Sequence, residues 1–269
     1  MIELSLVEIL LFLSTGAFVG LLAGMLGVGG GLIVVPILLY VLPIVGIPPE
    51  LVTHMAIATS LCTIVITSAS SVRAHNRHGS VIWWVFKAMT PGVILGGLGG
   101  TILAHYLPSR SLKAIFGIFA LLLAVQMFFK FKPSPQRKEP GKKTLFAAGS
   151  IIGCFSTLVG IGGGSITVPY LTYWNTQMSR AVGTSSAIGL PLSIAGTLGF
   201  IISGWNEPMR PSFSLGFVYL PAFLGIVMIS SFTAPFGVRI SQKISGKLLS
   251  RLFAGFLIVV GLDILLPFI

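Results

Sequence analysis

Apolar residues run along this chain in blocks of about sixteen to twenty-five, interrupted by Gly, Pro and short basic clusters. Each block is long enough, or nearly so, to cross roughly 30 Å of hydrocarbon as a helix rising about 1.5 Å per residue. A membrane barrel would instead show segments of about ten residues alternating between apolar and polar. No such alternation occurs in this chain. Cutting at the interruptions gives helical pieces at 4–26, 32–44, 51–72, 81–106, 111–129, 144–159, 165–174, 180–203, 212–232 and 247–268. The pattern predicts an all-α, polytopic membrane protein of eight to ten segments.

Composition strengthens that reading. The chain has 269 residues, 54% of them hydrophobic and 9% charged, with a mean hydropathy of +0.99. Soluble domains spend about a quarter of their residues on charge, so a water-facing surface could not be covered here. The formal charge of +11 invites a nucleic-acid reading. However, six of the 17 Lys and Arg lie between Lys130 and Lys143, and most others sit at the ends of apolar runs. Basic loops of this kind face an anionic leaflet, which makes lipid the partner and excludes nucleic acid. The first block follows Glu3, contains Glu8 and has no basic leader, so it reads as a retained helix.

The chain also repeats itself. Gly20 to Tyr40 and Gly153 to Tyr173 match at ten of 21 positions with a constant offset of 133, including the glycine runs, Pro36 with Pro169 and Tyr40 with Tyr173. Ala56-Ile-Ala-Thr-Ser60 parallels Ala181-Val-Gly-Thr-Ser185, and Ile115-Phe116 parallels Leu252-Phe253. These matches divide the chain into a first membrane repeat at 1–130, a basic linker at 131–143 and a second repeat at 144–269, with five pieces in each repeat.

Placing the linker in the cytoplasm puts 14 basic residues inside and three, Arg110, Lys113 and Arg210, outside. Both termini are then external and the repeats are inverted, an arrangement used by many secondary transporters. The second piece of each repeat is short for a crossing. Either it belongs to a re-entrant hairpin whose glycine tip stops inside the bilayer, or both arms span fully.

The glycine tips are the first candidate site. Main chain that is not helical cannot face lipid, so Gly27, Gly29, Gly30, Gly31, Gly160, Gly162, Gly163 and Gly164 either pack helices closely or line a cavity. In a cavity, the amides of the following helix start would attract an anion. Thr59, Ser60, Thr184 and Ser185 are candidate contacts for the same solute, although their hydroxyls could instead bond their own helix. Pro36 and Pro169 shape the helix after each tip. His54 and Arg180, near the starts of the third pieces, are candidates for gating or charge coupling, or else cap the helices there. Asp263 reads as interfacial. Cys62 and Cys154 read as small buried residues, and His75 with His78 lacks a third ligand, so no metal or cofactor is expected. There is no Gly-x-Ser-x-Gly, paired-carboxylate or His-Glu-x-x-His signature, and none of these enzyme classes is indicated.

The runs Gly27-Val-Gly-Gly-Gly31 through Pro36 and Gly160-Ile-Gly-Gly-Gly164 through Pro169, with the Ala-x-Ala/Gly-Thr-Ser segments, resemble the sulfite exporter TauE/SafE family of membrane permeases. That resemblance implies transport of sulfite, thiosulfate, sulfoacetate or another sulfonate at the cell membrane. The residues themselves point only to a compact inorganic or organic anion carried by alternating access, with coupling to protons left open. An anion channel or a membrane scaffold without flux would carry the same sequence features.

Overall fold

The computed structural model describes residues 6–26, 30–129, 140–241, 244 and 246–268. Gly27, Gly29 and most of the linker at 131–143 therefore lie outside the described residues. Ten α-helices occur among those described. They are α1 (Leu6–Leu26), α2 (Gly31–Ile44), α3 (Pro49–Arg77), α4 (Trp83–Tyr106), α5 (Ser109–Phe129), α6 (Lys142–Val159), α7 (Gly164–Tyr173), α8 (Met178–Ser203), α9 (Leu220–Ser241) and α10 (Gly246–Leu265). Among the described residues seven helices, α1, α3, α4, α5, α8, α9 and α10, are long and apolar enough to cross a membrane. The molecule is an all-α, polytopic membrane protein.

The helix ends follow local chemistry. Pro49 opens α3, where its missing N–H and fixed φ cost nothing. At the other extreme α6 stops at Gly160, whose φ of 75° is left-handed. The Gly160 amide donates to the Thr157 carbonyl and the Ile161 amide donates to that of Ser156, which is the Schellman ending that glycine permits.

Two boundaries differ from the sequence pattern. The piece expected at 212–232 begins instead with a two-stranded hairpin, β1 (Ser214–Leu215) paired antiparallel with β2 (Val218–Tyr219), and α9 starts only at Leu220. Phe213 and Gly216 have φ of 63° and 57°, values that cannot continue a right-handed helix. Conversely α3 runs to Arg77, five residues past the expected end at 72. The main-chain hydrogen-bonded ladder needs no apolar side chains, so the helix continues past its apolar block.

Packing is reciprocal between the first five helices and the last five. α1 lies along α9 and α6 along α4, while α3 crosses α8 and α5 pairs with α10. The two longest seams are built on small residues. A Cβ added to Gly96 of α4 would overlap the Ser150 carbonyl of α6, and one on Gly24 of α1 would overlap that of Ala234 in α9. Such main-chain approach is how helices associate in lipid, where hydrophobicity gives no drive. At the centre, Met55, Ala56, Ile57, Ala58 and Leu61 of α3 and Ile188 and Leu192 of α8 are wholly buried.

Candidate functional site

The site is built around the turn between α6 and α7. After the Schellman ending at Gly160, Gly163 takes φ of 73° and reverses the chain so that α7 can start at Gly164. The Gly163 carbonyl accepts the amides of Ile166 and Thr167. The amides of Gly164 and Ser165, earlier in that first turn, find no main-chain acceptor among the described residues. They are the donors a helix start leaves over, and together with the α7 dipole they present partial positive charge.

Beside this turn lies a cavity of about 380 Å³, in the range of small-molecule sites. The second half of the chain supplies Gly162, Gly164, Ser165, Pro169, Ser185 and Ser186 to its wall, and the first half supplies Thr67, Ser68 and Ser71 of α3 and Gln126 of α5. Among the described residues no charged side chain lines it. Ser71 donates to Ser186 across the wall at 3.1 Å, whereas the Ser185 hydroxyl, in a residue 2% exposed, has no partner among the described residues.

The remaining expected residues fall elsewhere. Gly30 and Gly31 are buried, and a Cβ on Gly31 would come 2.7 Å from the Gly160 carbonyl oxygen, so the start of α2 meets the second turn directly. The cavity lies to one side of that meeting point. Ser60 donates to the same Gly160 carbonyl at 2.8 Å.

Thr59 and Thr184 act as a matched pair. The Thr59 hydroxyl accepts the Tyr219 amide ahead of α9 at 3.0 Å, and the Thr184 hydroxyl accepts the Ile82 amide ahead of α4 at 2.9 Å. Each ties the entry of a fourth helix to the third helix of the other half. Thr59→Val and Thr184→Val should each lower stability by about 1–2 kcal/mol, because a main-chain amide loses the hydroxyl that accepts it. Melting of the detergent-solubilised variants checks this, and unchanged midpoints would show that the bonds contribute nothing.

His54 is buried away from the cavity, with Nε2 3.0 Å from the Ala104 carbonyl oxygen and its ring 5.2 Å from that of Phe217. Arg180 is exposed in the first turn of α8, between the wall residues Met178 and Val182. Pro36 is buried within α2, and Asp263 accepts a hydrogen bond from Tyr40.

Sequence reasoning passed over Ser165, the α3 hydroxyls and Gln126. A signal was present in each case. Thr67 and Ser71 stand four apart in an apolar helix and so share a face, and Gln126 is the only amide side chain in 111–129.

Comparison with known proteins agrees with the fold. The family model described as "Sulfite exporter TauE/SafE" matches residues 12–264. A "Probable membrane transporter protein" of Haemophilus influenzae is 38% identical over 259 residues, 96% of this chain and 98% of its own. A protein of the same description from Methanocaldococcus jannaschii is 30% identical over 265 residues, covering 95% of each chain. No solved structure matches.

Proposed function

The chain belongs to the sulfite exporter TauE/SafE family of membrane transporters, and on that footing we propose that it carries sulfite, thiosulfate, sulfoacetate or another organosulfonate across the cell membrane by alternating access. One observation carries the choice of an anion. Gly164 and Ser165, whose amides have no main-chain acceptor, and Ser185, whose hydroxyl has no partner, line one cavity whose wall among the described residues holds no carboxylate. A helix start of this kind attracts negative charge without a basic side chain. Gly162 and Gly164 let the solute approach the main chain, and 380 Å³ leaves room for an organic substituent.

The inverted repeat is the second element of the proposal. The internal duplication and the reciprocal helix pairing support it. Re-entrant hairpins are supported by α7, which at 10 residues rises only about 15 Å, and by the meeting of Gly31 with Gly160. The two hairpins differ in packing. Ten of the 14 residues of α2 are buried, whereas in α7 only Thr167 and Leu171 are.

Exchanging those environments would close the cavity beside α7 and open its counterpart beside α2. Ser71 lies two residues from Arg73, and Met178 two from Arg180. By the positive-inside rule, the open side is then cytoplasmic, with Arg180 at its mouth and His54 toward the opposite face. Both termini would be external.

Purified protein in liposomes tests the proposal. A carrier should show saturable flux of at least one of these anions and counterflow of labelled solute. Flux at channel rates would replace the carrier with a pore, and absence of flux for all of them would favour a scaffold. Ser185→Ala should raise the half-saturating anion concentration about tenfold, the loss of one hydrogen bond to a charged group. An unchanged value would remove Ser185 from the site.

A further inference from the structure

Behind the α6–α7 turn is a second polar feature that the anion does not use. Ser156 of α6 and Thr167 of α7 are both 0% exposed, and neither hydroxyl has a partner among the described residues. They come from opposite arms of the hairpin yet face one point. A Cβ built on Gly163 would lie 3.6 Å from Thr167 Oγ1 and 3.8 Å from Ser156 Oγ, with Leu192 Cδ1 at 3.3 Å closing the apolar side. Gly163 has no such carbon, so the space between the arms is kept. Two buried hydroxyls left unpaired at one spot destabilise the fold unless something there takes their oxygens.

The last turn of α6 also leaves main-chain oxygens over. α6 ends four residues before Gly163 in the chain, and the carbonyls of Leu158 and Val159 in its last turn accept no main-chain amide among the described residues outside that helix. A helix C-terminus carries partial negative charge, so the α6 end favours a cation as the α7 start favours an anion. Broken helices in transporters use these opposite ends for ion and substrate.

We propose that Ser156 Oγ, Thr167 Oγ1 and the carbonyls of the last turn of α6 bind a sodium ion. The ligand set decides the class. Neutral hydroxyl and carbonyl oxygens suit a monovalent hard cation, whereas calcium or magnesium would call for carboxylates. No cluster of His, Cys, Asp or Glu able to hold a metal occurs among the described residues. A bound sodium ion would clip the two arms together and fix the Gly163 reversal that presents Gly164 and Ser165. Its coupling to transport rests on the anion reading above, but the site itself does not.

The test is thermal melting of the detergent-purified chain in sodium, potassium or choline chloride at one fixed chloride concentration. Sodium should raise the midpoint saturably, by about 5 °C, with potassium and choline giving no such rise. Ser156→Ala and Thr167→Val should melt no lower than the parent in choline, since each removes an unsatisfied hydroxyl, yet lose the sodium response. Thr167→Ser should keep it. Equal midpoints in all three salts would overturn the site, as would a sodium response retained by both Ser156→Ala and Thr167→Val. An intact sodium response in a protein that binds none of the sulfur anions would count against the anion reading alone.

Discussion

An aspartate at position 165 is expected to leave the protein folded and to stop anion transport. Ser165 occupies the first turn of α7, where its amide has no main-chain acceptor among the described residues and the residue lines the cavity. A carboxylate at a helix start gains about 0.3–1 kcal/mol from the unpaired amides and the dipole, so the melting temperature should hold or rise. The same carboxylate would sit where the substrate's charge belongs. At 4 Å and an effective dielectric near 20, two like charges repel by about 4 kcal/mol, enough to lower flux at fixed anion concentration more than a hundredfold. Ser165→Asn, similar in size but neutral, should retain at least about a tenth of the flux. Proteoliposome uptake and detergent melts, run side by side, read both quantities. Parental flux in the aspartate variant would mean that the anion does not use this helix start.

The second large effect belongs to Gly160. Valine there should prevent recovery of folded protein, for two reasons that add. The residue has φ of 75°, a conformation that costs a β-branched side chain about 1–3 kcal/mol. A Cβ would also lie 2.8 Å from Val35 Cγ2 and 3.1 Å from the Ile57 Cα, where α2, α3 and the α6–α7 turn converge. Overpacking of that kind costs a further 1–3 kcal/mol or so. The sum of about 2–6 kcal/mol is a large share of the roughly 5–15 kcal/mol by which a typical protein is stable. Gly99 of α4 provides the control, because a Cβ added there meets nothing within 4 Å. Gly99→Ala should extract from membranes as a single monodisperse species, and Gly160→Val should not. If the valine variant behaved like the alanine control, the tight convergence at this turn would be wrong.

Much of the architecture was readable from residue order. Apolar block length located the helices, and the second glycine run located the α6–α7 turn, because polar main chain can leave a helix inside lipid only where protein or a cavity receives it. The beginning of α9 was not readable in the same way. Residues 212–219 are apolar enough to pass for helix, and only the left-handed geometry at Phe213 and Gly216 shows the hairpin. Thr59 and Thr184 show the same limit from another side. Their matching positions were visible, but the amides they accept lie 160 and 102 residues away in the chain.

The sequence alone therefore determined that this is a helical membrane protein carrying two closely similar glycine runs, since hydropathy and self-similarity are properties of residue order. Tertiary structure decided what the described glycines of each run meet. Gly31 was packed against Gly160, while Gly164 and Ser165 were left beside open space with α3 and α5 across from them. The two runs share the pattern Gly-x-Gly-Gly-Gly, but Ser165 stands where the first copy has Leu32, and the neighbours each run meets from distant parts of the chain are fixed only when the helices assemble.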